Sequence, residues 1–280
     1  MNTITMEQAT KLIGQPNVVY IDTQFIFGQS AEGRSFYEQK HIPGAIYFHL
    51  DEDLSGPIEE HGGRHPVPDV AIFEEKIRQA GISNDSTVII YDNTGGATAA
   101  RGWWLLKYFG HEHTFMLEQS IEHWVKAGYP VTSEESTPVR GNFTAKEQQH
   151  LTVNIDNILQ QLNNEVRVLI DARVEDVYSG KRATKYKKLG HIPGARNIFW
   201  ERLLDEQGRL TKTELLREQL PVNREKEIVV YCGAGVTACA NILAFEAAGY
   251  TNVKLYVGSW GDWASYEHTP SHVSEGVCND

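Results

Sequence analysis

The stretch EIVVYCGAGVTACANILAFEAAG, residues 227–249, decides how the rest of the chain reads. Ile228 to Tyr231 is a short run of β-branched and aromatic residues, the pattern of a buried strand. Cys232-Gly233-Ala234-Gly235-Val236-Thr237 follows, and then Ala240, Leu243, Ala244 and Ala247 recur at helical spacing up to Gly249. The cysteine therefore occupies a turn between a strand and a helix. Small residues let such a turn curl tightly with its N–H groups inward, and the positive end of the helix dipole adds to that field. A thiolate is the natural anion at its centre; such surroundings lower a thiol pKa from about 8.5 into a range of roughly 3.5–7.5.

Three chemistries compete for this loop. A structural cysteine at a strand end is one, since free cysteines commonly serve as small buried hydrophobes. A cysteine-dependent phosphatase is the second, but its cradle needs an arginine six residues after the cysteine to grip phosphate, and that position is Ala238. The third is sulfur transfer, in which a compact ring of amides holds a thiolate and then a persulfide on Cys232.

The formal charge of -11 over 280 residues argues against nonspecific nucleic-acid or anionic-membrane binding, both of which need a basic surface. No apolar run is long enough to span a bilayer, and the opening MNTITMEQATKLIG lacks the basic-then-apolar pattern of a secretory signal. Three cysteines make no disulfide framework, so a reduced, cytoplasmic protein without metal or cofactor is expected. His41 stands beside Pro43 and Gly44, a turn in which an imidazole commonly bonds the backbone.

The chain also repeats itself. His-Ile-Pro-Gly-Ala occurs at 41–45 and again at 191–195; the strand patterns Val18 to Asp22 and Thr87 to Tyr91 return as Val166 to Asp171 and Ile228 to Tyr231. Trp263 stands where Trp124 stood. This predicts a duplicated α/β unit: an N-terminal domain over 1–132, a polar linker over 133–149 and a C-terminal domain over 150–280, packed with their loops toward a shared cleft. Where the second copy has Cys232 the first has Asp92, which cannot form a persulfide, so only the second copy is expected to be catalytic.

These pieces, with Tyr256-Val257-Gly258-Ser259-Trp260-Gly261-Asp262-Trp263, make the chain resemble the two-domain rhodanese family of thiosulfate and 3-mercaptopyruvate sulfurtransferases, over nearly its whole length. The resemblance implies tandem rhodanese-like domains, each a mainly parallel central sheet flanked by helices. It implies a sulfurtransferase that takes sulfur from a small anionic donor onto Cys232 and passes it to a thiol, cyanide or protein acceptor. It also implies that Asp51 and His65 are sent toward the active site, and that arginines between the second copy's first strand and its His-Ile-Pro-Gly motif hold the donor. The position most like the first of these is Val177, leaving Arg182 and its neighbours in the basic run Lys181 to Lys188 as candidates, while Arg173 is expected in a structural ion pair. The mercaptopyruvate loop carries a serine where this chain has Ala234, which leaves the donor open between thiosulfate and 3-mercaptopyruvate. A persulfide carrier loaded by a partner protein is the alternative reading. Thr237 is expected to cap the helix, Trp260 to pack against the site, Cys239 to be buried and Cys278 to be exposed and oxidisable.

Overall fold

A computed structural model describes residues 2–160, 162, 166–220 and 222–274. Cys278 lies outside the described residues. Two compact units emerge, each interrupted in sequence: the first contains residues 1–57, 67–149 and 204–210, the second 58–66, 150–203 and 211–280. Residues 133–149 run along the first unit, where Phe143 is buried, the Gly141 amide donates to the Arg78 carbonyl and the Lys146 amide to the Phe109 carbonyl.

The first unit is built on a five-stranded sheet of β1 (Thr3–Ile4), β2 (Val18–Asp22), β3 (Ile46–Tyr47), β4 (Thr87–Tyr91) and β5 (Thr114–Leu117), in the spatial order β1-β5-β4-β2-β3. The second repeats it with β6 (Thr152–Val153), β7 (Arg167–Asp171), β8 (Arg196–Asn197), β9 (Glu227–Tyr231) and β10 (Val253–Tyr256), in the order β6-β10-β9-β7-β8. Every pairing is parallel. Central strands of such a sheet are covered on both faces, which is why Val88 to Tyr91 and Ile228 to Tyr231 read as unbroken apolar runs and why all eight residues are essentially inaccessible. The strand after the first His-Ile-Pro-Gly-Ala turn is only Ile46–Tyr47, because Phe48 already turns away with its amide on the Asp22 carbonyl.

The duplicated motifs do the same structural work in each copy. His41 stacks on Tyr37 with centroids 4.0 Å apart and shares a 2.6 Å bond with the Tyr37 carbonyl; His191 stacks on Tyr178 at 3.7 Å and shares a 2.8 Å bond with its carbonyl. The amides of Ile42 and Ile192 donate to the buried hydroxyls of Tyr91 and Tyr231. Trp124 and Trp263 are fully buried and donate their indole N–H to the carbonyls of Pro130 and Pro270. Each imidazole is thus occupied in closing its motif's turn. No helix among the described residues is long and apolar enough to cross a membrane.

Candidate active site

Parallel strands deliver their following loops to one edge of the sheet, where α/β proteins place their ligands. In the second unit that edge carries the residues after β7, β9 and β10. Cys232 comes directly after β9 and is 2% exposed. Its Sγ accepts the Gly235 amide at 3.1 Å. Gly235 has φ +78, and a Cβ there would stand 2.3 Å from the Val257 carbonyl oxygen, so only glycine lets the loop curl this closely. The amides of Ala234, Val236, Thr237 and Ala238 have no acceptor among the described residues, although Val236 and Ala238 are buried. Orphaned donors in a buried loop mark a place that an anion satisfies.

Ser259, whose role sequence reasoning missed, fixes the cysteine from the other side. Its Oγ accepts the Cys232 amide at 3.1 Å, donates to the Tyr256 carbonyl at 2.9 Å and lies 3.9 Å from Cys232 Sγ. Ser259 has φ 55, a left-handed conformation that costs a non-glycine residue on the order of 1–3 kcal/mol and concentrates at functional sites. The next two amides complete the clamp, Trp260 on the Cys232 carbonyl and Gly261 on the Gly233 carbonyl, both at 2.9 Å. Trp260 is buried, its ring lying under the Arg173 guanidinium at 4.7 Å. Tyr186, also overlooked as a site residue, donates its hydroxyl to the Gly233 carbonyl at 2.8 Å. Burial first, and then the charge on Cys232, push its phenol up to about 12, so it remains a donor at neutral pH.

Arg173 forms the expected ion pair. Its Nε lies 2.9 and 3.0 Å from the two Asp171 carboxylate oxygens, and its Nη2 donates to Asp171 Oδ2 at 2.5 Å and to the Gly190 carbonyl at 2.8 Å. Burial works against this cation, yet the Asp171 charge and bonds outweigh it, with Tyr231 and Cys232 adding, and its pKa is raised. A permanent positive charge therefore stands within electrostatic reach of the thiol.

Other expectations need correction or placement. Thr237 does not cap the helix Ala238–Ala247 through its side chain: it has φ -65 and ψ -20, whereas a capping side chain reaches back from an extended residue. Lys188, part of the basic run, is consumed by structure, its Nζ donating to the Tyr266 carbonyl at 2.6 Å and to Thr269 Oγ1 at 2.7 Å. Arg182 is exposed, with its backbone amide on the Asp176 carbonyl, and Val177 offers no charge. His65 is buried in the 58–66 segment of the second unit. Asp51 belongs to the first unit, half-buried in the turn after β3, its amide directed at His49 Nδ1 at 3.2 Å. Cys239 is fully buried with its Sγ 3.6 Å from the Gly235 carbonyl oxygen. No group of three His, Cys, Asp or Glu among the described residues is placed to hold a metal ion.

Comparison with known proteins places this geometry in context. The Rhodanese-like domain family matches residues 5–127 and 155–266. A probable 3-mercaptopyruvate sulfurtransferase of Pseudomonas aeruginosa is 33% identical over 276 residues, covering 95% of this chain and 96% of that one. The thiosulfate sulfurtransferase of Bos taurus is 32% identical over 271 residues, covering 93% and 90% respectively. The crystal structure of SseA from Escherichia coli, a 3-mercaptopyruvate sulfotransferase, superimposes with a TM-score of 0.84 at 28% identity, over 93% of this chain and 99% of that one.

Proposed function

Because the chain belongs to the rhodanese family, with two copies of its domain and sulfurtransferase relatives along nearly its full length, we propose that its activity proceeds through a persulfide on Cys232. The chain is a sulfurtransferase that moves a sulfane sulfur from thiosulfate or 3-mercaptopyruvate to a thiophilic acceptor. The observation that carries the assignment to Cys232 is its Sγ held by the Gly235 amide in a loop whose amides at Ala234, Val236, Thr237 and Ala238 have no acceptor among the described residues. The loop from Gly233 to Thr237 then serves as the anion cradle, and Arg182, His65 and Asp51 are the candidate donor-binding residues.

The reaction is a double displacement. The Cys232 thiolate attacks the outer sulfur of thiosulfate, the donor's S–S bond breaks, and sulfite departs with the electron pair. Cys232 now carries a terminal persulfide sulfur bearing the negative charge, which the loop amides stabilise as they stabilised the thiolate. A nucleophile such as cyanide attacks that outer sulfur, the protein S–S bond breaks, thiocyanate leaves and the thiolate returns. With 3-mercaptopyruvate the group that leaves is a pyruvate enolate, which must gain a proton. Ala234 has only a methyl group where the mercaptopyruvate loop has a hydroxyl, so thiosulfate makes the smaller demand on this loop. A reduced, cytoplasmic setting keeps such a thiol available.

Intact mass after incubation with each donor tests the reading. A gain of one sulfur is expected, removed by cyanide and absent in Cys232→Ser; a folded wild-type protein that gains none from either donor overturns it.

A further inference from the structure

The sheet edge that carries Cys232 in the second unit has a counterpart in the first, where residues that follow β2, β4 and β5 line a pocket of about 380 Å³. Two differences between the copies account for it. Asp22-Thr23-Gln24 matches Asp171-Ala172-Arg173, and Ser120-Ile121 matches Ser259-Trp260. In the second unit the Arg173 guanidinium lies over the Trp260 indole at 4.7 Å, so a cation stacked on an indole occupies this position. The first unit has Gln24 and Ile121 there, and these shorter side chains leave volume open.

Contacts within the first unit hold the walls in place. Gln24 is buried, its amide and its Nε2 donating to the two Asp22 carboxylate oxygens at 2.8 and 2.9 Å, while its Oε1 accepts from no donor among the described residues. Asn93 has its Oδ1 fixed by the Phe25 amide at 2.8 Å, which leaves Nδ2 a donor without an acceptor among the described residues. Lys40 follows the helix Glu32–Gln39, and Glu122 and Lys126 stand four residues apart on the helix Ile121–Lys126. All three are exposed, and Glu122 and Lys126 do not form the ion pair that Glu7 and Lys11 make at the same spacing. The half-buried Phe36 and Val125 and the buried Ile121 supply an apolar wall. Small-molecule sites have this make-up, an apolar concavity with a few convergent polar groups, and ordinarily enclose about 300–1,000 Å³.

We propose that this pocket binds an α-amino acid with an apolar side chain. Charges of both signs line one concavity: Lys40, Lys126 and Asn93 Nδ2 suit a carboxylate, Glu122 and Gln24 Oε1 suit an ammonium, and the apolar wall suits the side chain. A simple anion would leave Glu122 repelled, and a simple cation would leave the two lysines so; a zwitterion satisfies both. The volume, near the lower end of the usual range, matches a molecule of amino-acid size. The site lies wholly in the unit that has Asp92 in place of the cysteine, so the proposal goes beyond the sulfur-transfer reading and stands or falls without it.

The test is calorimetric titration of wild type and Cys232→Ser with L-leucine, with isocaproate, which lacks the amine, and with isoamylamine, which lacks the carboxylate. Leucine is expected to bind both proteins equally with a Kd below about 1 mM, and each single-charge analogue about fivefold or more weakly. Glu122→Gln should weaken leucine and isoamylamine by about two- to fivefold and spare isocaproate, whereas Lys126→Gln should weaken leucine and isocaproate and spare isoamylamine. Both substitutions change exposed side chains and keep the fold. Absence of saturable leucine binding, isocaproate binding as tightly as leucine, or leucine binding that both substitutions leave unchanged overturns the proposal. Binding abolished in Cys232→Ser would place the amino acid at the cysteine and overturn it as well. Sulfur uptake is read separately by intact mass, so a wild type that takes up no sulfur refutes the transfer reading alone.

Discussion

The two units share one sheet order and opposite solutions to the loop after the central strand. Asp92 fills its own cradle: Oδ1 accepts the amides of Thr94 and Gly96 at 3.1 and 2.9 Å, and Oδ2 those of Thr98 and Ala99 at 3.0 and 2.9 Å. The Thr94 hydroxyl adds a bond at 2.7 Å, and Thr98 Oγ1 lies 3.0 Å from Oδ2. In the second unit the matching amides are those of Ala234, Val236, Ala238 and Cys239; the last bonds the Val236 carbonyl, and the other three have no acceptor among the described residues. Strain is distributed likewise. Ser120, at the head of the helix after β5, is extended with φ -67, whereas Ser259 in the equivalent turn is left-handed and bound to Cys232. Four amides on Asp92 make the first loop a finished structure, whereas the shorter Cys232 side chain accepts the Gly235 amide and leaves three of the matching amides without an acceptor among the described residues.

Exchanging the central side chains breaks this comparison most severely. Cys232→Ser should abolish sulfur uptake with little change in stability, because a hydroxyl replaces the thiol in the same loop. Asp92→Ala should do the reverse: uptake on Cys232 persists, while the first unit loses stability on the order of 3–5 kcal/mol as buried donors lose a charged acceptor. Intact mass and urea denaturation followed by hydrogen exchange in each unit read the two effects apart. Loss of sulfur uptake in a folded Asp92→Ala protein would contradict the division of labour.

The contrast between Asp92 and Cys232 is legible in the sequence because both follow the same apolar strand pattern, and because each His-Ile-Pro-Gly-Ala turn stands at the same place in its copy. That both units share one sheet order and a buried tryptophan at matching places follows from the same repeats. Ser259 was hidden, since its role depends on a left-handed backbone angle that a Gly-Ser-Trp string does not reveal. Tyr186 and the 58–66 segment were hidden for another reason: 47 residues separate Tyr186 from the carbonyl it bonds, and the Gly62 amide reaches a carboxylate 200 residues away. Periodicity reports local faces, and these contacts are not local. Lys188 looked like a free cation because a sequence does not show the carbonyls gathered around it.

A second difference lies one strand over. Asp22 and Asp171 are both fully buried, but the first is met by the Gln24 amides and the second by the Arg173 guanidinium. Burial raises the Asp22 carboxyl to about 7, the bonds from Gln24 and Tyr91 offsetting only part of the cost. Between its unfolded value near 4 and about 7, the native state holds a proton that the unfolded chain has released. Stability of the first unit therefore falls as pH rises through that window and levels off above it. Asp22→Asn should remove that slope, whose full height is about 4 kcal/mol. Arg173→Gln copies the first unit's arrangement into the second: it should cost about 3–5 kcal/mol by stranding Asp171, and give the second unit a slope of the same sign. Urea denaturation at pH 5 and pH 8, resolved by unit, checks both; an Arg173→Gln protein with no new slope would mean that the glutamine and the guanidinium play equivalent parts.

The smallest effect belongs to Thr237. Its counterpart position in the first unit is Ala97, and both stand beside the start of the long buried helix of their copy. A threonine that capped this helix would lose on the order of 1 kcal/mol on truncation. Here the backbone at Thr237 is already helical and its hydroxyl bonds no cap amide, so Thr237→Ala should change stability by less than about 0.5 kcal/mol, as an uncoupled substitution does. Thr98 provides the contrast, because its hydroxyl donates to the Thr23 carbonyl at 2.7 Å and reaches Asp92, and Thr98→Ala should cost about 1–3 kcal/mol. Denaturation midpoints of the two variants, measured side by side, decide whether helix capping or the internal anion holds these loops. Equal losses at the two positions would mean that Thr237 does cap its helix in solution, and that the second loop owes more to its own side chains than to an anion.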